Sequence, residues 1–213
     1  VGIYLLARYN EDRWTPVKYF AWIAILVGIT SGLYHASCAF AFQCADLASM
    51  FMVVTLMLTL NLRRMGVIRP GKVYFYYWGI ILFSLGTLIA FQKFGRLAFV
   101  IQMSAALGSE VILFLSERNY NITPLFTAVG LMGLAYVFWK LDLKGVMARP
   151  DNHVFQGHAL WHIINSLTFI YLYRFYDQFN ILSARRLKLV RRTGVSASEW
   201  IYGRRVEPGR NRE

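Results

Sequence analysis

The chain is a succession of long apolar runs separated by short polar joints. Six runs, at 17–41, 44–62, 73–91, 97–116, 123–139 and 154–176, are almost free of charge. Each approaches the roughly 20 residues that an α-helix needs to cross a hydrocarbon core of about 30 Å. Residues 1–7, "VGIYLLA", are apolar and then meet Arg8. That run is too short to span, and it carries neither an initiator Met nor the basic leading region of a signal peptide. It reads as the end of one more helix. The pattern predicts an all-α polytopic membrane bundle of seven helices, the first truncated in this sequence. Residues 1–180 form the transmembrane bundle and 181–213 a basic cytoplasmic tail.

Composition agrees with that pattern. Hydrophobic residues make up 57% and charged residues 16%, whereas soluble domains carry about a quarter charged residues. The basic residues also give an orientation. With the spans numbered from the fragment at 1–7, eighteen of the 23 Lys and Arg fall on one side, including ten from Arg174 onward. Lys93, Arg96, Lys140, Lys144 and Arg149 fall on the other. Lys and Arg favour the cytoplasmic face, so the C-terminus is expected inside. The net charge of +12 is then mostly a cytoplasmic skirt, and "ARRLKLVRR" is suited to anionic headgroups. Nucleic acid is excluded as a partner, because the basic cluster has no fold of its own around it. The sequence does not define an oligomeric state.

Against this apolar background, a few polar residues stand out. Ser31 and His35 are four apart and share a helix face. They lie toward the end of a helix running outward, and Asp46 follows in the first turn of the returning one. His158 and His162 are again four apart, near the start of the last span, which also runs inward. The topology brings all five to one depth near the outer face. Two histidines at i and i+4 with a third from another helix suit a catalytic zinc ion, which takes three protein ligands and leaves a position for water. Asp46 would orient a ligand or take a proton from that water. Ser31 would hydrogen-bond the water or a developing oxyanion. Ionisable groups within a membrane are functional candidates by default.

Other residues receive plainer readings. Cys38 and Cys44 flank the turn after the first full span and are expected to be small buried residues rather than a disulfide. Glu110 lies toward the cytoplasmic end of its helix and is expected to pair with a basic or polar neighbour. Asn165, Ser166 and Thr168 are expected to bridge helices, and Gly28 and Gly32 form a GxxxG compatible with close packing. His153 is expected in a solvated loop. Asn121-Ile-Thr is a glycosylation sequon that this topology puts in the cytoplasm. Trp14, Trp78, Trp139 and Trp161 lie near span ends, as interfacial aromatics do.

Three motifs carry a resemblance: "SGLYH", an Asp eleven residues after that His, and "GHALWH". Together they resemble the CREST superfamily, which includes alkaline ceramidases, progestin and adipoQ receptors and GPI-remodelling lipases. The resemblance implies a seven-helix bundle with zinc held by His35, His158 and His162, and with Asp46 and Ser31 close to its water. "VGITSGLYH" and "GHALWHI" look most like the alkaline ceramidases, although Leu47 stands where those carry an acidic residue. "DLASMFMVV" lacks the tyrosine and glycine of the receptor branch, and "DLAS" is similar to the GPI-remodelling branch. "NED" at 10–12 falls on the cytoplasmic side and is not assigned to calcium.

The expectation is a zinc-dependent intramembrane lipid hydrolase, an amidase that cleaves a ceramide-like membrane lipid with activated water. A GPI-remodelling or phospholipid esterase is the alternative within the same chemistry. A non-catalytic, zinc-containing receptor-like protein of the progestin/adipoQ type is the alternative outside it. A transporter fits less well, because the polar cluster lies at one end rather than at the midplane.

Overall fold

The computed structural model describes residues 1–9, 15–91, 94–116, 120–147 and 157–179. The described residues form seven α-helices and a short 3₁₀ turn, with no strand among them. The helices are α1 (Gly2–Arg8), α2 (Thr15–Ser37), α3 (Phe40–Arg64), α4 (Val73–Ala90), α5 (Gly95–Ser116), α6 (Thr123–Leu143) and α7 (Gly157–Asp177); the turn Pro70–Lys72 leads into α4. Helices are what hydrocarbon allows, because each satisfies its own backbone hydrogen bonds. The expected all-α polytopic bundle is present.

Five helices, α2 to α6, are long and apolar enough to cross a membrane. The expected sixth long span, α7, has 21 residues but a more polar composition, with His158, His162, Asn165 and Arg174 along it. The outside of the bundle is bare apolar surface: Phe83 is 76% exposed and Phe75 is 71% exposed. Water would not tolerate such continuous exposure, whereas lipid requires it. The chain is a multi-pass membrane protein. Residues 181–213, expected as a basic tail, lie outside the described residues.

α3 is central and packs on α2, α4 and α5, while α7 packs on α6 and α2, and α1 lies against α2. Polar contacts tie the seam between α3 and α5. Gln102 Nε2 donates to Thr55 Oγ1 at 2.6 Å, and Asn61 Nδ2 donates to Ala106 O at 3.0 Å and Ser109 Oγ at 3.1 Å. Tyr176 of α7 joins by donating to Asn61 Oδ1 at 2.9 Å. Interhelical hydrogen bonds of this kind hold helices together where lipid removes most of the hydrophobic drive. At the end of this seam Glu110 pairs with Arg64, as its position suggested. Tyr120 OH donates to the same carboxylate at 2.6 Å. The Arg64 guanidinium lies 3.6 Å from the Phe179 ring centroid and 4.9 Å from that of Tyr120.

Several expectations need correction. The turn between α2 and α3 falls at residues 38 and 39, not 42 and 43, so Asp46 is in the second turn of α3 rather than the first. Cys38 and Cys44 are both free, but Cys38 is exposed and Cys44 half-buried, so neither is a core residue. Cys38 has φ +52°, the left-handed conformation that ends many helices. Gly28 and Gly32 face open space, with nothing near a Cβ placed at either, so the GxxxG joins no helices. Ser166 donates to Ile163 O in its own helix, and Thr168 Oγ1 is buried without a partner among the described residues, so neither bridges helices. Trp14, His153 and the segment 10–12 lie outside the described residues.

Candidate metal centre

Three helix ends meet at the end of the bundle opposite Arg64. α2 arrives carrying His35 near its last residue, α3 departs carrying Asp46, and α7 departs carrying His158 and His162. Asp46 and Arg64 are eighteen residues apart on α3, which at 1.5 Å per residue is about 27 Å and close to the depth of a bilayer core.

The three imidazoles turn the same nitrogen toward one point. His158 Nε2 and His162 Nε2 each lie 3.1 Å from His35 Nε2, and the ligand atoms of all three lie within 4.8 Å of one another. A neutral imidazole nitrogen carries either one hydrogen or one lone pair. His35 Nε2 can therefore complete only one of its two contacts as a simple hydrogen bond. A cation receiving three lone pairs satisfies all three nitrogens at once. Tetrahedral zinc with Zn–N near 2.05 Å would place pairs of ligand nitrogens about 3.3 Å apart, close to the observed contacts. An all-imidazole set suits zinc as well as copper, iron and nickel. The site therefore fits the ion that the sequence led us to expect.

His35 is exposed, whereas His158 and His162 are half-buried, so the cluster sits at a rim rather than in a sealed core. Trp161 walls one side, its ring 4.4 Å from that of His162 and 5.4 Å from that of His158.

Ser31 and Asp46 complete the group. The half-buried Asp46 carboxyl stands beside Ser31 and within electrostatic reach of His35. Ser31 is 6% exposed, and its hydroxyl faces the Asp46 carboxyl. The structure brings together all five residues named from the sequence.

It also shows residues that sequence reasoning missed. Thr30 Oγ1 shares its hydrogen between Ser49 Oγ at 3.1 Å and Leu26 O of its own helix at 2.9 Å, and Ser49 Oγ donates to Asp46 O at 2.6 Å. This chain ties α2 to α3 directly beside Ser31 and Asp46. Asp142 of α6 accepts the Gly157 N–H at the start of α7. Neither pairing has a sequence signature, because each depends on which helix faces which.

A family model described as Ceramidase matches residues 1–193. The chain belongs to the Ceramidase family. That is a family of lipid hydrolases, in agreement with the resemblance carried by "SGLYH" and "GHALWH". No curated protein and no solved structure matches this Ceramidase-family chain.

Proposed function

We propose that this protein is a zinc-dependent intramembrane amidase that cleaves a ceramide-like lipid into a fatty acid and an amine. One observation carries the reading: three imidazole Nε2 atoms converge next to a carboxylate and a buried hydroxyl. Membership of the Ceramidase family supports the choice of an amide.

His35, His158 and His162 would hold the ion. Zinc bound there supplies a Lewis acid that makes water acidic enough to lose a proton near neutral pH. Asp46 takes that proton as water attacks the amide carbonyl, then delivers it to the leaving nitrogen as the C–N bond breaks. Ser31 Oγ–H donates to the carbonyl oxygen as negative charge builds on it. The Thr30–Ser49 tie keeps Ser31 and Asp46 facing each other while this happens. The acyl chain lies along the apolar flank of the bundle.

The distribution of Lys and Arg supports placing the histidine end at the outer (periplasmic, luminal or extracellular) side, with the C-terminus in the cytoplasm. The basic segment 181–213 would then rest on anionic headgroups.

The deciding experiment combines elemental analysis of purified protein with fatty-acid release from ceramide and from matched ester lipids. One equivalent of zinc and release from the amide are expected, with release abolished by His35→Ala. Release from the esters alone would replace the amidase with an esterase. Zinc without any release would make the protein a non-catalytic lipid-binding receptor.

A further inference from the structure

α7 starts against its neighbour, not in open space. Gly157 N–H donates to Asp142 Oδ1 at 2.9 Å. The first N–H groups of a helix have no partner within it, so α7 is capped here by a side chain from α6. Gly157 is buried, and a Cβ at this position would lie 2.7 Å from Phe138 O and 2.9 Å from Asp142 Cβ. The α7 backbone is therefore pressed onto the last turns of α6 with no room for a side chain. His158 is the next residue, and Asp142 also lies within its electrostatic reach.

We propose that Asp142 is a positioning residue for the metal centre. It holds the first turn of α7 against α6 and so sets where His158 and His162 present Nε2 to His35. The inference rests on reading those imidazoles as metal ligands. A carboxylate at a helix N-terminus is also favoured by the helix dipole. Without the acceptor, a buried N–H loses its partner and the turn that carries His158 is released. Ligand distances in a metal site must hold within about 0.2 Å, so a small drift of that turn weakens the site.

The same helix pair supplies a control. At the far end of α7, Gln178 Oε1 accepts the Asn121 N–H at 2.9 Å, and Gln178 Nε2 donates to Asn121 O at 2.9 Å. This tie also joins α7 to the α6 side, but away from the histidines.

The test is zinc affinity, measured by chelator competition on purified full-length protein, alongside thermal unfolding. Asp142→Ala is expected to weaken zinc binding by about 10- to 100-fold, the usual effect of losing a group that supports a ligand. Asp142→Asn keeps an acceptor oxygen and is expected to retain zinc like the parent. Gln178→Ala is expected to lower the unfolding temperature with zinc affinity unchanged. Should Asp142→Ala fail to fold, Gly157→Ala decides: its Cβ pushes the turn off α6, and zinc binding should fall in the same way.

Parental zinc affinity in Asp142→Ala, or in Gly157→Ala where that variant decides, overturns the inference. So does an equal loss in Gln178→Ala, or no rescue by Asp142→Asn. A parent protein that binds no zinc overturns the proposed function together with this inference. A zinc-loaded parent with an unaffected Asp142→Ala overturns this inference alone.

Discussion

Thr30 and Ser49 share a hydrogen bond of 3.1 Å across the interface of α2 and α3. Beside them lie Ser31 and Asp46, proposed above for oxyanion binding and proton transfer. Ser49 donates in turn to Asp46 O within α3, so the tie holds α2 and α3 together beside the two groups proposed as catalytic. Thr30→Val keeps the shape and removes the bond. Interhelical bonds in membranes contribute about 0.6 kcal/mol on average, so unfolding should shift little. Turnover should fall about tenfold or more, because small misplacements at a reacting centre are costly. Zinc content should stay constant. Parental turnover in this variant would show that the tie is incidental.

Asp46 and Ser31 are expected to separate by role. Asp46→Asn should bind zinc normally and lose about 10²- to 10⁴-fold in kcat, the usual worth of a general base. Ser31→Ala should also keep zinc and lose about 10²- to 10³-fold, the worth of one oxyanion donor. Fatty-acid release paired with metal stoichiometry on the same preparations checks both. Loss of zinc in either variant would instead mark that residue as part of the binding site.

Arg64 and Glu110 form a buried pair, with side chains 0% and 4% exposed. Glu110→Leu leaves a buried guanidinium without its counter-charge and should cost about 3–5 kcal/mol. Adding Arg64→Met removes the stranded charge, and the double variant should recover much of that loss. Thermal unfolding in detergent reads the comparison. A double variant less stable than Glu110→Leu would mean that the aromatic rings around Arg64 matter more than the pair.

Cys38 holds a left-handed conformation at the end of α2, which costs a non-glycine residue about 1–2 kcal/mol. Its N–H donates to Tyr34 O at 2.7 Å, the arrangement that glycine usually provides. Cys38→Gly should raise the unfolding temperature by a few degrees without loss of zinc. A drop would show that the cysteine side chain contributes contacts outweighing the strain.

The spans were legible because hydrocarbon imposes a crude rule of length and polarity, and the runs at 73–91 and 97–116 differ from α4 and α5 by at most two residues. The turn at Cys38 was not, since no glycine or proline marks it and the apolar run continues past it to Ala41. There the chain reverses through a left-handed cysteine, with Ser37 Oγ accepting the Ala39 N–H at 3.3 Å. The histidines were legible because charge and polarity are rare in such a background. Gly28 and Gly32 misled because spacing alone does not say which face meets a neighbour. Asp142 carries no sequence signature, and only its contact with Gly157 distinguishes it.

His35 belongs to the second helix of the bundle and its two partners to the seventh. During synthesis the earlier helices enter the bilayer long before α7 emerges from the ribosome. The half-made protein then carries Ser31 and Asp46 but a single imidazole, too few to capture an ion. On the proposed reading the metal centre is completed only when the final helix docks, and the nascent chain cannot act on the surrounding lipid before then.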